Sequence, residues 1–236
     1  MDAQTIMTEL QTLGNPSVAA LMQRNHGVDQ PIFGVRIADL KKIQKRIKKD
    51  YQLALDLYAT GNYDAMYFAG LIADDEKMTR SNLNQWATQA QAGALPEYTV
   101  AWVAAGSRHG WDMGLQWIDA KKLHVIRAGW ATLGCIVALR PDSELDLKKL
   151  RQLIQRVEKT LPKVDSSLRS AMNLFLISVG CYVLPLSSLC RETGERIGPL
   201  SSGNPNNNCK IPYVPDYIDK VASRGSLGKK RKTVKC

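Results

Sequence analysis

Apolar residues in this chain recur at helical spacing, and the recurrence is interrupted at intervals of about one helix length. Few architectures are compatible with both features. Ile37, Leu40, Ile43 and Ile47 share one side of IADLKKIQKRIKKD, with the lysines and Arg46 opposite, and Leu147, Leu150, Ile154, Val157 and Leu161 do the same in LDLKKLRQLIQRVEKTL. The interruptions fall at Gly14-Asn15-Pro16, Gly61-Asn62, Asp74-Asp75, Gly106-Ser107, Pro141-Asp142 and Pro162, residue types that stop one helix and cap the next. No stretch alternates as a strand would. The pattern predicts an all-α chain of about ten to twelve short helices. One helix pair cannot bury its own apolar faces, so pairs stacked in series as an α-solenoid are expected; the absence of a crisp internal repeat leaves a plain helical bundle as the alternative.

The 236 residues suffice for one large domain, expected over 1–224. The stretch IGPLSSGNPNNNCKIPYVP reads as loop and PDYIDKVASRG as a last short helix. Residues 225–236 read as a flexible basic tail. Net charge is +10; Arg224, Lys229, Lys230, Arg231, Lys232 and Lys235 supply six positive charges with no acid among them, which leaves +4 for the rest. That balance points to a polyanion, with the tail either adding backbone affinity for nucleic acid or simply solvated.

Several classes are disfavoured. No apolar run reaches membrane-span length, and MDAQTIMTELQTL is amphipathic with two acids, so neither a membrane nor secretion is suggested and a cytoplasmic protein is expected. Cys135, Cys181, Cys190, Cys209 and Cys236 form no CxxC pair and read as free thiols. His26, His109 and His124 each stand alone, so capping or surface hydrogen bonding is expected and no metal site. Phosphate-cradling loops, nucleophile elbows and dinucleotide fingerprints are missing, so no cofactor is expected.

Polar residues on otherwise apolar helices stand out instead. In LPEYTVAWVAAGS, Pro96 suits a first helical turn and Glu97 stands at the entrance, either as an acid at the positive end of a helix or as a group working on a ligand. Arg127 lies within HVIRAGWATLGCIVAL and Arg169 within SSLRSAMNLFLISVG. A buried arginine needs an anion, and an internal Glu97–Arg127 pair is the architectural reading. Trp102 and Trp130 are core residues or stacking surfaces.

The stretches FGVRIADLKKIQKRI, LALDLYATGNYDAMYFAGLIADDEKMT and QWIDAKKLHVIRAGWATL resemble the DNA alkylation repair proteins of the AlkD-type glycosylase superfamily, over roughly residues 20–190. The tail and CKIPYVPDYI look like a distinct subgroup. The resemblance implies a right-handed superhelix of HEAT-like antiparallel helix pairs. It further implies a basic groove holding duplex DNA by its backbone and, in glycosylase members, a carboxylate that helps release positively charged N3- or N7-alkylated purines without a cofactor. On that resemblance Glu97 occupies the catalytic acid's position and Arg127 that of a phosphate-contacting arginine. Arg36, Arg169, Lys229, Lys230, Arg231 and Lys232 are further candidates for DNA contact, and Trp102 and Trp130 for base stacking. The chain departs from the pattern at Gly93 and Leu174, where active members carry tryptophans. A non-catalytic module for bent, branched or damaged DNA, or a protein scaffold, is the alternative.

Overall fold

The computed structural model describes residues 1–201 and 211–235. Among these residues there are thirteen α-helices and no strand. The first half holds α1 Ala3–Thr12, α2 Pro16–His26, α3 Ile37–Ile47, α4 Tyr51–Ala59, α5 Tyr63–Ile72, α6 Arg80–Gln89 and α7 Ala101–Gly106. The second holds α8 Gly110–Trp117, α9 Leu123–Leu139, α10 Leu147–Thr160, α11 Ser166–Tyr182, α12 Ser187–Ile197 and α13 Val214–Ser223. Part of the expected loop, with Cys209, lies outside the described residues, as does Cys236.

Side-chain caps sit at the breaks read from the sequence. Asn15 accepts from the N–H groups of Ser17 and Val18 with Pro16 at the first helical position, and Asn62 accepts from those of Asp64 and Ala65. Thr79 and Asn82 form a reciprocal capping box on α6. The apolar stripes are buried as their period demands. Leu150, Ile154, Val157 and Leu161 are fully buried, worth about 1.5–3 kcal/mol each in gross transfer energy. On α3, Leu40 and Ile43 are buried, but Ile37 is 47% exposed, so the packed stripe begins one turn after the helix starts.

Successive helices pack as neighbours, with α4 on α5, α8 on α9, α9 on α11, and α11 on α12 and α13. This is an all-α solenoid. The apolar interior forms two clusters, one in each half. Helix α9 lies between α8 and α11; at Gly129 a Cβ would stand 2.7 Å from the Ile118 nitrogen, so glycine there lets the two backbones close up. No single helix among the described residues is long and apolar enough to cross a membrane.

Buried Asp64 in the first turn of α5 ties the chain ahead of α3 to the core. Its Oδ2 accepts from the N–H of Phe33 at 2.7 Å and Gly34 at 3.0 Å, and its Oδ1 from Val35 at 3.0 Å. Burial pushes this carboxyl above its usual range, and the three N–H bonds oppose that shift.

The segment expected to be a flexible tail is held against the body over residues 225–235. The Gly228 N–H donates to the Cys181 carbonyl at 2.8 Å and the Arg231 N–H to the Ala138 carbonyl at 2.8 Å. Lys230 Nζ donates to the Val137 carbonyl at 2.8 Å and lies 2.7 Å from Asp142. That second contact is one of charge, since the Asp142 oxygen accepts no aligned hydrogen bond. Lys235 Nζ donates to the Ala73 carbonyl at 3.1 Å and to Asp75 at 2.7 Å, and Val234 joins the N-terminal core. Each lysine therefore meets the carbonyl-rich end of a helix, α9 or α5, where positive charge is favoured. This strap runs from the end of α11 past the end of α9 to the end of α5, linking the two halves of the solenoid.

Replacing Asp64 by alanine would orphan three backbone donors; urea unfolding is expected to show a loss of about 2–4 kcal/mol. Asp64→Asn, which retains one acceptor oxygen, should lose less.

Candidate functional site

Arg127, Ala131, Gly134 and Ala138 recur at four-, three- and four-residue steps, so they share one face of α9. The last three are small. Alongside this face runs a cleft of ≈ 580 Å³, bounded by Glu97 and Trp102 near α7, Leu174 and Phe175 on α11, Tyr217 on α13, and Lys229 and Arg231 on the strap. The strap is thus one of its walls.

Glu97 belongs to a π-helical turn, Pro96–Val100, that leads into α7; the Val100 N–H reaches back five residues to the Leu95 carbonyl at 3.0 Å. The sequence predicts an ordinary first turn here. Single wide turns of this kind often sit at functional sites.

The carboxylate is already engaged. Arg127 Nε donates to Glu97 Oε1 at 2.7 Å, and Arg127 Nη2 donates to the Gly93 carbonyl at 3.2 Å. The two side chains retain only 18% and 14% exposure, for Arg127 and Glu97 respectively. A charge-assisted bond this short between partly desolvated partners fixes both groups. The pair read from the sequence as architecture is present, and one oxygen of Glu97 is committed to it.

Gly93 has a left-handed backbone, φ +60°, and a Cβ there would lie 2.7 Å from Tyr63 Oη, 2.8 Å from Tyr63 Cε2 and 2.9 Å from a Val28 methyl. The Tyr63 hydroxyl accepts from the Ala94 N–H at 3.1 Å, which holds that ring in place. Any side chain at position 93 is excluded by space and by backbone conformation. Leu174 lies on the cleft and is 41% exposed.

Neither tryptophan offers a free face. Trp130 is 1% exposed, packed at 5.1 Å on Phe175 and covered by the Arg156 guanidinium 5.6 Å above its ring. Trp102 is 3% exposed and meets Tyr67 and Tyr98 edge-on, so it is a wall rather than a stacking platform. The exposed aromatics at the cleft are Tyr98, beside Glu97 at the entrance of its segment, and Tyr217, which the sequence does not single out.

The candidate cations divide into groups. Arg169 is half-buried and spends its guanidinium on the carbonyls of Val164 and Ser201; both Arg169 and Arg127 act on Asp165, whose pKa is lowered mainly by its bonds to Ser167 and further by these arginines. Arg36 is exposed ahead of α3 and does not line the cleft. Lys230 is consumed by Asp142 and the end of α9, which removes it from the set available to DNA. Lys229, Arg231 and Lys232 are exposed, and none is ion-paired with a described residue. Burial pushes the Cys135 thiol on the cleft up to about 12, so it stays protonated at neutral pH.

A family model described as "DNA alkylation repair enzyme" matches residues 6–183. Two uncharacterized proteins are similar over most of their length. That of Listeria innocua is 27% identical over 222 residues, 92% of this chain and 96% of the relative. That of Listeria monocytogenes is 28% identical over 222 residues, with the same coverage. A solved structure matches at 34% identity and a TM-score of 0.90, covering 100% of both chains; it is described as "a new family of proteins related to the HEAT-like repeat DNA glycosylases with affinity for branched DNA structures".

A double-mutant cycle on Glu97→Ala and Arg127→Ala, read by chemical denaturation, should return a coupling of about 1–3 kcal/mol. Gly93→Ala is expected to destabilise by about 1–3 kcal/mol through strain and the clash with Tyr63, and Gly93→Trp to cost more.

Proposed function

Because this chain belongs to the DNA alkylation repair enzyme family, we propose that it works as a DNA-binding member of that family, recognising branched or sharply bent DNA rather than cutting a glycosidic bond. The observation that carries this reading is the combination at Glu97 and Gly93. A carboxylate that stabilises developing positive charge at the sugar must be aimed at the substrate. Here one oxygen is held 2.7 Å from Arg127, and the position where active members carry an aromatic wall is filled by Tyr63. Recognition by shape needs neither feature, only cations set along a curved framework to meet phosphates whose path a branch or bend brings together.

The 34% identical solved relative, with its affinity for branched DNA, supports the same reading across the full length of the chain. In this reading Lys229, Arg231 and Lys232 contact phosphate, Arg36 adds a backbone contact, and Arg127 and Arg169 retain their internal partners. The protein acts in the compartment that holds the DNA, the cytoplasm. The glycosylase reading has one feature in its favour, the place of Glu97 on an open cleft, and it is separable by experiment.

Affinity for a four-way junction should exceed that for linear duplex and fall steeply with salt, with Lys232→Ala lowering the log–log slope by about one. Equal, salt-insensitive retention of both DNAs would contradict the reading. In duplex containing N7-methylguanine, wild type and Glu97→Gln should release free base at the same background rate. Glu97-dependent release would replace it with catalysis.

A further inference from the structure

We propose that the cleft beside α9 is a seat for one unstacked nucleotide of the branched DNA, with the base against the apolar and aromatic wall and the phosphate at the strap. The proposal rests on the branched-DNA reading and adds what the cleft itself takes.

The cleft joins two features that a duplex backbone alone would not need. One is exposed apolar surface: Leu174 at 41%, Tyr98 at 42% and Tyr217 at 43% are among the most exposed large hydrophobic residues of the fold, and all three border the same cavity. The other is a cationic rim of Arg224, Lys229 and Arg231, all exposed. Apolar ring surface beside anion-binding groups is the complement of a nucleotide, and base stacking on aromatic side chains is how single-stranded nucleic acid is commonly held. The volume of ≈ 580 Å³ falls within the range of about 300–1,000 Å³ typical of small-molecule sites.

The cleft also has a direction. Ala131 and Ala138, the first and last α9 residues on the cleft, are seven residues apart, or about 10 Å along the axis, the length of a single nucleotide. Glu97 stands at the first end, paired to Arg127, and the strap crosses the second, where the Arg231 N–H meets the Ala138 carbonyl. The Glu97–Arg127 pair is neutral as a whole and offers phosphate no free cation at one end, and the exposed cations of the strap attract it at the other. Ala131, Gly134 and Ala138 keep the floor between them low. Branch points are the places where an already unstacked base is available, so occupancy avoids the several kcal/mol needed to extract a paired one. The whole cationic rim and Tyr217 lie beyond the family match, which ends at residue 183.

The test uses the full chain and a three-way junction carrying two unpaired nucleotides at the branch. One of them is 2-aminopurine, and a distant fluorescein reports binding by anisotropy. On saturation the 2-aminopurine emission should change, whereas the same probe paired within an arm should not respond. Tyr217→Ala should weaken junction binding by about fivefold or more, as loss of one stacked base predicts. Leu174→Glu, which places an acid on the wall at an exposed position, should remove the emission change while thermal unfolding stays that of wild type. A junction that binds by anisotropy with unchanged 2-aminopurine emission overturns this proposal and leaves the branched-DNA reading standing. Absence of any anisotropy change defeats both. An equal response to free 2-aminopurine deoxyribonucleoside monophosphate at the same concentration overturns the assignment to DNA in favour of a free nucleotide.

Discussion

The guanidinium of Arg127 holds together the two sides of the candidate site. It reaches from α9 to the Glu97 carboxylate and to the Gly93 carbonyl, so the segment before α7 is fixed to the helix that forms the cleft floor. Removing either charge would leave the other partly desolvated without its partner, a cost that exceeds what the pair contributes relative to apolar neighbours. The same contact that gives the segment its place takes up one oxygen of the carboxylate. The carboxylate that the glycosylase reading would need is the one whose Oε1 this contact occupies.

The strap is the second constraint. Lys230 and Lys235 act as anchors because each finds both a carboxylate and the electronegative end of a helix, and the chain between them is drawn along the cleft. Anchoring two lysines presents Lys229, Arg231 and Lys232 from a fixed backbone, which in the proposed reading lowers the conformational entropy lost on binding phosphate. Held in this way, the basic segment also contributes to the geometry of the site.

Much of this was legible from the residues. The all-α class, the caps at Asn15 and Asn62, and the buried stripes of α3 and α10 follow from period and punctuation, which are local properties. The Glu97–Arg127 pair was legible as one of two alternatives, because a charge within an apolar helix demands a partner. What escaped depends on contacts between residues far apart in sequence. Nothing near Lys235 announces Asp75, 160 residues earlier, so a run of cations reads as a solvated tail. Gly93 reads as a lost aromatic, whereas its cause is Tyr63, thirty residues away, standing where any Cβ would go. Trp130 reads as a stacking candidate because burial by Phe175 and Arg156 is invisible along the chain. The exposed Tyr217 was passed over because its significance comes from α11 and the strap, its neighbours at the cleft.

The account turns on whether the Glu97–Arg127 contact survives when DNA is bound. A crystal structure of the protein with a four-way junction measures this directly. The account predicts that Arg127 Nε remains within hydrogen-bond distance of Glu97 and that phosphates lie against Lys229, Arg231 and Lys232. A complex in which the guanidinium has swung onto a phosphate, leaving the carboxylate facing a deoxyribose, would contradict it.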